Sequence, residues 1–131
     1  MTLREVLHAH IPILTDRSTL RDAVDKMDIY QFPGLVLVDG DHRPVGVLTE
    51  GDVCRAVRQH GSLLPLSEQP ASKFATSNPT TAGPGMEISD ALHLMLGSGL
   101  TLLPIQDEGR LLGVVLRVDL MQALLMDGAS A

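Results

Sequence analysis

Two helix starts in this sequence carry side chains that could bind a polar ligand. They are separated by 67 positions and read Thr49-Glu50-Gly51-Asp52 and Leu116-Arg117-Val118-Asp119. An ionised carboxylate makes strong charge-assisted hydrogen bonds to a diol, and the free N–H groups of a helix start suit a phosphate. The spacing of Thr49 and Asp52 is also that of a capping box, in which each side chain satisfies an unpaired backbone N–H. Ligand binding and helix capping are both open interpretations, and one does not exclude the other.

Side chains suited to covalent or metal chemistry are not grouped in the sequence. The five histidines are scattered, and none has the spacing of a metal site. Cys54 is the only cysteine, so no disulfide forms within the chain, and its apolar neighbours predict a buried, inert thiol. We therefore predict no catalytic residue, no metal site and no enzymatic activity.

Basic side chains are unevenly distributed between the two halves. Residues 1–60 contain seven basic and nine acidic residues, whereas the remainder contains three basic and seven acidic residues, so the first half repels a phosphate less. Four arginines of the first half could reach a phosphate: Arg17, Arg43, Arg55 and Arg58. Each of them is explained more simply as part of a solvated helix or turn surface.

The elements that position these residues occur twice. The segment 43–53 aligns with 110–120, with Arg, Gly, Val and Asp at identical spacing. Upstream of each segment, apolar residues fall at i, i+3, i+4 and i+7, which predicts an amphipathic helix in each copy. These stripes are Leu20, Ala23, Val24 and Met27, then Ile88, Ala91, Leu92 and Met95.

Strands complete each copy. Residues 34–39 and 101–106 are typical of buried strands, and each is followed by a short polar turn and a second apolar strand. Short extended pieces at 11–14 and 80–82 precede the first helix of each copy, and Ser18 is predicted to cap that helix in the first copy. The element order is therefore β-α-β-β-α in each repeat.

This order predicts an α+β protein, an α/β sandwich of two β-α-β-β-α repeats. We place the first repeat at 1–62, and the linker with the second repeat at 63–131. A unit of about 60 residues buries too little surface to be stable alone, so the repeats are expected to pack face to face with pseudo-twofold symmetry.

On these residues the chain resembles a tandem pair of CBS domains, the Bateman module named after cystathionine β-synthase. Residues 45–52 are similar to the family signature Gly-φ-φ-Thr-x-x-Asp, where φ is apolar, and the second copy has the same motif in register except for its Thr. The resemblance implies that clefts between paired repeats bind adenosine-containing regulatory ligands such as AMP, ADP, ATP or S-adenosylmethionine, with no required cofactor. It also implies that such pairs form flat homodimers.

The resemblance further implies roles for individual residues. Asp52 would accept hydrogen bonds from ribose hydroxyls, and the Thr49 hydroxyl would bind ribose or phosphate. Adenine would lie against positions of the first repeat close to the backbone, namely Ile13, Thr15, Gly34 and Leu35.

The second repeat departs from the signature. Leu116 stands at the Thr position, so Asp119 lacks a hydroxyl partner, and an acidic residue in a first turn is already explained by the helix dipole. Arg117 replaces Glu50, and its guanidinium could contact a phosphate and compensate in part for the missing Thr.

From these features we predict a stand-alone regulatory CBS pair. It would bind an adenosine-containing ligand in the cleft between its repeats and signal to an unknown effector protein. The alternative is a structural dimerisation module without a nucleotide ligand.

Composition and patterning exclude other classes of partner. A net charge of −6 and 2% aromatic residues are unfavourable for nucleic acid binding. The apolar runs are too short to span a bilayer, and no basic segment followed by an apolar run begins the sequence. We expect a cytoplasmic protein that binds neither membranes nor nucleic acid.

Overall fold

The computed structural model describes residues 1–128 and divides them into two compact units. The first unit is Pro12–Pro79, and the second combines Met1–Ile11 with the chain from Thr80 onward. The repeat boundaries inferred from the sequence, 1–62 and 63–131, remain a prediction. They divide the chain by repeated pattern, whereas the compact units divide it by packing.

The first unit is a four-stranded sheet with two long helices. The sheet order is β1-β2-β3-β4, with β1 parallel to β2 and β3 antiparallel to both of its neighbours. The elements are β1 (Ile13–Leu14), α1 (Leu20–Tyr30), β2 (Gly34–Val38), β3 (Pro44–Thr49), α2 (Glu50–His60) and β4 (Thr76–Ser77). Two short 3-10 helices, Leu64–Leu66 and Ala71–Lys73, precede β4.

Apolar side chains from the helices and one face of the sheet form the core of this unit. The predicted stripe of α1 is confirmed, since Leu20, Ala23 and Met27 are buried and Val24 packs against them. On β2, Leu35 and Leu37 point into the same core, as expected for alternate residues of a strand.

The second unit repeats this arrangement around a hairpin. Its elements are α3 (Ile88–Ser98), β5 (Leu102–Asp107), β6 (Arg110–Leu116) and α4 (Arg117–Gly128). Ala82 forms a parallel bridge with Ile105 on one side of the hairpin, and His8 forms an antiparallel bridge with Val114 on the other. Each unit is therefore mixed α+β with the predicted element order, although the extended piece at 80–82 is reduced to the bridge at Ala82.

In each unit, one edge segment of the sheet comes from outside the five β-α-β-β-α elements packed in that unit. In sequence, β4 follows α2, the last helix of the first set, and pairs with β3 in the first unit. The segment around His8 precedes β1 in sequence, yet it pairs with β6 in the second unit. A 3-10 helix precedes each edge segment, at Leu3–Glu5 and Ala71–Lys73, so the two segments are structurally equivalent.

The predicted cap of α1 is wrong by one residue. Thr19 is the N-cap, because its hydroxyl accepts from the Asp22 N–H at 3.1 Å and the Asp22 carboxylate accepts from the Thr19 N–H at 2.9 Å. The bond from the Thr19 backbone lowers the pKa of Asp22 below its ordinary value. Ser18 instead accepts from the Thr15 N–H at 2.9 Å in the preceding turn. Only Thr19 has an acidic residue three positions later, which a capping box requires.

We expect Gly113→Ala to detach the edge segment of the second unit. A Cβ at Gly113 would overlap the His8 carbonyl oxygen and the Leu7 side chain. Because the obstacle is backbone, we expect the free energy of unfolding to fall by about 1–3 kcal/mol. Denaturant titration measures this loss, and hydrogen exchange should show weaker protection of the His8 and Val114 amides.

The matched control is Gly46→Ala in the first unit. A Cβ at Gly46 would lie 3.2 Å from the Thr76 carbonyl oxygen, which is tight but closer to an ordinary contact. Gly46→Ala should therefore lower the free energy of unfolding by less than Gly113→Ala does. Equal losses for the two variants would contradict the assignment of Gly113 as the more constrained position.

Candidate functional site

The first candidate site is the junction of β3 and α2. Thr49 ends the strand with extended backbone (φ −107°, ψ 166°) and is the N-cap of the helix. Its hydroxyl accepts from the Asp52 N–H at 3.3 Å, and Asp52 Oδ2 accepts from the Thr49 N–H at 2.8 Å. The capping box predicted from the Thr-x-x-Asp spacing is thus confirmed.

Arg55 contacts the second oxygen of the same carboxylate. Its Nη2 donates to Asp52 Oδ1 at 2.6 Å. The Asp52 side chain is only 11% exposed, whereas the Arg55 side chain is 66% exposed. The site therefore has a shielded anion directly beside a solvent-facing cation.

Gly34 lies opposite Thr49 in the sheet register. A Cβ at Gly34 would stand 3.1 Å from the Leu48 carbonyl oxygen and 3.3 Å from Thr49 Cγ2. The absence of a side chain at Gly34 therefore leaves room beside the Thr49 side chain. The structure brings together three predicted site residues, Gly34, Thr49 and Asp52.

The other predicted wall residues are placed differently. Leu35 is 2% exposed and belongs to the core, so its side chain does not line an open surface. Ile13 pairs with Val36, two residues along β2 from Gly34, and Thr15 follows the end of β1 further in the same direction. At roughly 3.3 Å per residue, Thr15 lies toward the opposite end of β2 from Gly34. The structure does not bring Thr15 to the α2 start.

The second candidate site is the junction of β6 and α4. Asp119 Oδ2 accepts from the Leu116 N–H at 2.8 Å, so the carboxylate caps the helix without a hydroxyl partner. The same oxygen accepts from His8 Nε2 at 2.9 Å. The Asp119 side chain is 17% exposed and that of His8 is 42% exposed. His8 was not predicted as a site residue from the sequence, because it lies 111 residues from Asp119 and reaches it through the pairing of its segment with Val114.

Arg117 is engaged within its own unit. Its Nε donates to the Leu100 carbonyl oxygen at 2.8 Å, just before β5, and its side chain is partly buried. The guanidinium thus ties the start of α4 to the end of the α3–β5 loop. A contact between Arg117 and a phosphate remains a prediction.

Two surface depressions lie near these junctions. One of about 480 Å³ lies between α1 and α2 and is lined in part by Met27, Glu50 and Cys54. Cys54 is exposed there, so the prediction of a buried thiol is wrong. It neighbours the buried Val53 in sequence, but successive helical residues are about 100° apart and point to different sides. The other depression, of about 390 Å³, lies beside Asp119 between α4 and the chain's first six residues.

The described part of the chain contains neither a group of metal ligands nor a membrane-spanning helix. No three described His, Cys, Asp or Glu side chains are grouped so that they could hold a metal ion. None of the helices in that part of the chain combines the length and apolar character needed to cross a membrane.

Comparison with known families identifies the repeated unit. The CBS domain family matches this chain twice, at residues 3–59 and 71–126. The chain belongs to the CBS-domain family. Solved structures have the same fold as this CBS pair. A CBS-domain containing protein from Agrobacterium tumefaciens has a TM-score of 0.83 at 20% identity, and the match covers 94% of this chain and 98% of that chain. CBSX2 in complex with AMP has a TM-score of 0.84 at 20% identity, with 97% and 98% covered.

Sequence relatives of the CBS pair differ widely in length. An uncharacterized 17.7 kDa protein of Acidianus ambivalens is 29% identical over 122 residues, which cover 92% of this chain and 71% of that protein. Inosine-5'-monophosphate dehydrogenase of Methanocaldococcus jannaschii is 27% identical over 119 residues, which cover 90% of this chain but 22% of the enzyme. The pair thus occurs both in a small protein and as a minor part of a larger enzyme.

We expect His8 and Asp119 to be energetically coupled in the CBS pair. A double-mutant cycle with His8→Ala and Asp119→Asn should give a coupling of about 0.5–1 kcal/mol in the free energy of unfolding, because the pair is only partly shielded from water. The control cycle combines Asp119→Asn with His93→Ala, since His93 bonds the Ser89 carbonyl oxygen instead. A coupling no larger than the control's would show that the His8 contact adds nothing to stability.

Proposed function

We propose that this CBS pair is a regulatory module that binds an adenosine-containing ligand at the start of α2. The candidates are AMP, ADP, ATP and S-adenosylmethionine. The observation that carries the proposal is the arrangement of Thr49, Asp52 and Gly34, which places a carboxylate and a hydroxyl at a helix start beside a position without a side chain. The AMP complex of CBSX2, a protein of the same fold, supports this ligand class.

Capping and ligand binding are compatible at Asp52. A carboxylate has about four lone-pair positions, and two of them are used by the Thr49 N–H and by Arg55. The remaining positions can accept from a ribose diol while the cap stays in place. The cap also holds the carboxylate in one orientation before the ligand arrives, through the reciprocal hydrogen bonds between Thr49 and Asp52.

The regulatory step would be a shift of population. A ligand that bonds Asp52 better in one conformation of the pair increases the fraction of that conformation, in proportion to the difference in affinity. A partner protein then recognises the surface that this conformation presents. The module itself needs no catalytic group for this role.

We expect Asp52→Asn to weaken binding of the ligand more than Asp119→Asn does. Asn keeps the shape of the side chain but loses the charge that strengthens a bond to a diol, so affinity should fall tenfold or more, by about 1.5 kcal/mol. Thermal-shift titration with each of the four candidates measures this, because a ligand that binds only the folded state raises its stability. If none of the four stabilises the wild-type protein, the nucleotide proposal is refuted, and the reverse ranking of the two variants would assign the ligand to Asp119.

A second candidate function, dimerisation, is favoured by an apolar stripe on α4. Val118, Met121 and Leu125 lie at i, i+3 and i+7 and are 49%, 50% and 71% exposed, while Leu120 and Ala123 of the same helix are buried in the core. The helix is therefore apolar on two opposite sides. A second copy of the chain offers the same stripe, and a twofold contact would bury both.

We expect Leu125→Glu to shift the protein toward the monomer. Sedimentation velocity over a range of concentrations measures the change, because a carboxylate within the contact must lose its hydration on association. Leu64→Glu is the matched control, since Leu64 is also 71% exposed but lies in the first unit outside the stripe. A monomeric wild-type protein at high concentration, or equal effects of the two variants, would contradict dimerisation through α4.

A further inference from the structure

We infer that Arg55 selects the charge of the ligand in the first unit. The site would prefer an adenosine compound with a phosphate on its 5' carbon to an uncharged nucleoside or to the cationic S-adenosylmethionine. The inference rests on the proposed function, because it assigns the ligand class for the same site.

The Arg55 guanidinium is held close to the Asp52 carboxylate. Arg55 Nη2 contacts Asp52 Oδ1 at 2.6 Å, and Nη1 lies 3.2 Å from the point that a Cβ on Gly51 would occupy. The guanidinium thus lies over the first turn of α2, where Gly51 has no side chain to displace it. Its 66% exposure leaves it accessible to a molecule in solution.

An adenosine 5'-phosphate offers two groups to this pair of side chains. The hydroxyls of its ribose diol donate hydrogen bonds to a carboxylate, and its phosphate is attached to the 5' carbon across the same sugar ring. A ligand bonded to Asp52 can therefore bring its 5' group to the neighbouring guanidinium. Arginine presents several N–H donors in a plane that matches phosphate oxygens. The sulfonium of S-adenosylmethionine occupies the 5' position with a positive charge, which the guanidinium repels.

Glu50 does not cancel this preference, although it lies in the same first turn. At about 100° per residue, Glu50 is rotated by roughly 160° from Asp52 and roughly 140° from Arg55 around the helix. Glu50 lines the depression between α1 and α2 instead, which Asp28 also lines. The acidic charges of the groove and the guanidinium are thus on different sides of α2.

The second repeat provides an internal comparison. Gln122 stands where the first repeat has Arg55, at the same offset of 67. There the carboxylate of Asp119 is bonded by His8 rather than by an arginine of its own helix. Of the two junctions, only the first combines the carboxylate with a permanently charged donor one helical turn later.

The test compares AMP, adenosine and S-adenosylmethionine by isothermal titration calorimetry on the full chain. AMP and adenosine share base and ribose, so their affinity ratio isolates the phosphate. We expect Arg55→Gln to reduce AMP affinity about tenfold or more, which is the worth of a charge-assisted hydrogen bond, and to leave adenosine within about twofold. The affinity for S-adenosylmethionine should rise, and Arg55→Lys should restore part of the preference for AMP. Arg58→Gln, an exposed arginine on the same helix, is the matched control.

Three outcomes would overturn the inference, and they are distinguishable. Equal losses for AMP and adenosine would make Arg55 a residue that only positions Asp52. Unchanged AMP affinity in Arg55→Gln, or the same loss in Arg58→Gln, would refute selection by Arg55 while leaving the nucleotide site intact. If no adenosine compound binds the wild-type protein, the proposed function itself fails, and the inference fails with it.

Discussion

The carboxylates of Asp52 and Asp119 each accept a hydrogen bond from the backbone N–H three residues earlier, and this bond fixes where a strand ends and a helix begins. The strands, β3 and β6, lie within the sheets, so any slip at the junction would move core residues out of register. In the first unit the bond is reciprocal, because the Thr49 hydroxyl accepts from the Asp52 N–H. A ligand site built on these carboxylates therefore inherits a geometry that the fold already requires.

The two junctions reach this geometry with different partners. Arg55 supplies the second contact to Asp52 from the same helix, so that junction is assembled locally. His8 supplies the second contact to Asp119 from the first segment of the chain, and Gly113 permits that segment to pass close to β6. The second junction thus depends on a long-range pairing, and the first does not. Divergence of the repeats in sequence has a physical counterpart in how each carboxylate is held.

Local patterns predicted much of the fold, and long-range pairings were missed. The stripe of α1, the hairpin strands and the box at Thr49 depend on residues within a few positions of one another, so spacing alone reveals them. The contact of His8 with Asp119 depends on which sheet the first segment joins, and no short-range signal encodes that choice. Cys54 was misplaced for another reason: apolar neighbours in sequence do not share its side of the helix. At the candidate site, the motif predicted Thr49 and Asp52. The sequence offered four arginines, and only the structure shows that Arg55 contacts Asp52.

A carboxylate that caps a helix is usually regarded as structural, and at Asp52 the same feature would favour the ligand binding that we propose. An unpaired, mobile carboxylate would lose side-chain entropy when it met a diol, whereas Asp52 is already ordered by its hydrogen bond from the Thr49 N–H. Arg55 also offsets the charge of Asp52, which lowers the repulsion that a phosphate would meet at this helix start. Asp119 is hydrogen-bonded to His8, and its helix carries Gln122 in place of the arginine. The charge next to the carboxylate therefore differs between the repeats. Two junctions with nearly the same backbone can therefore favour ligands of different charge.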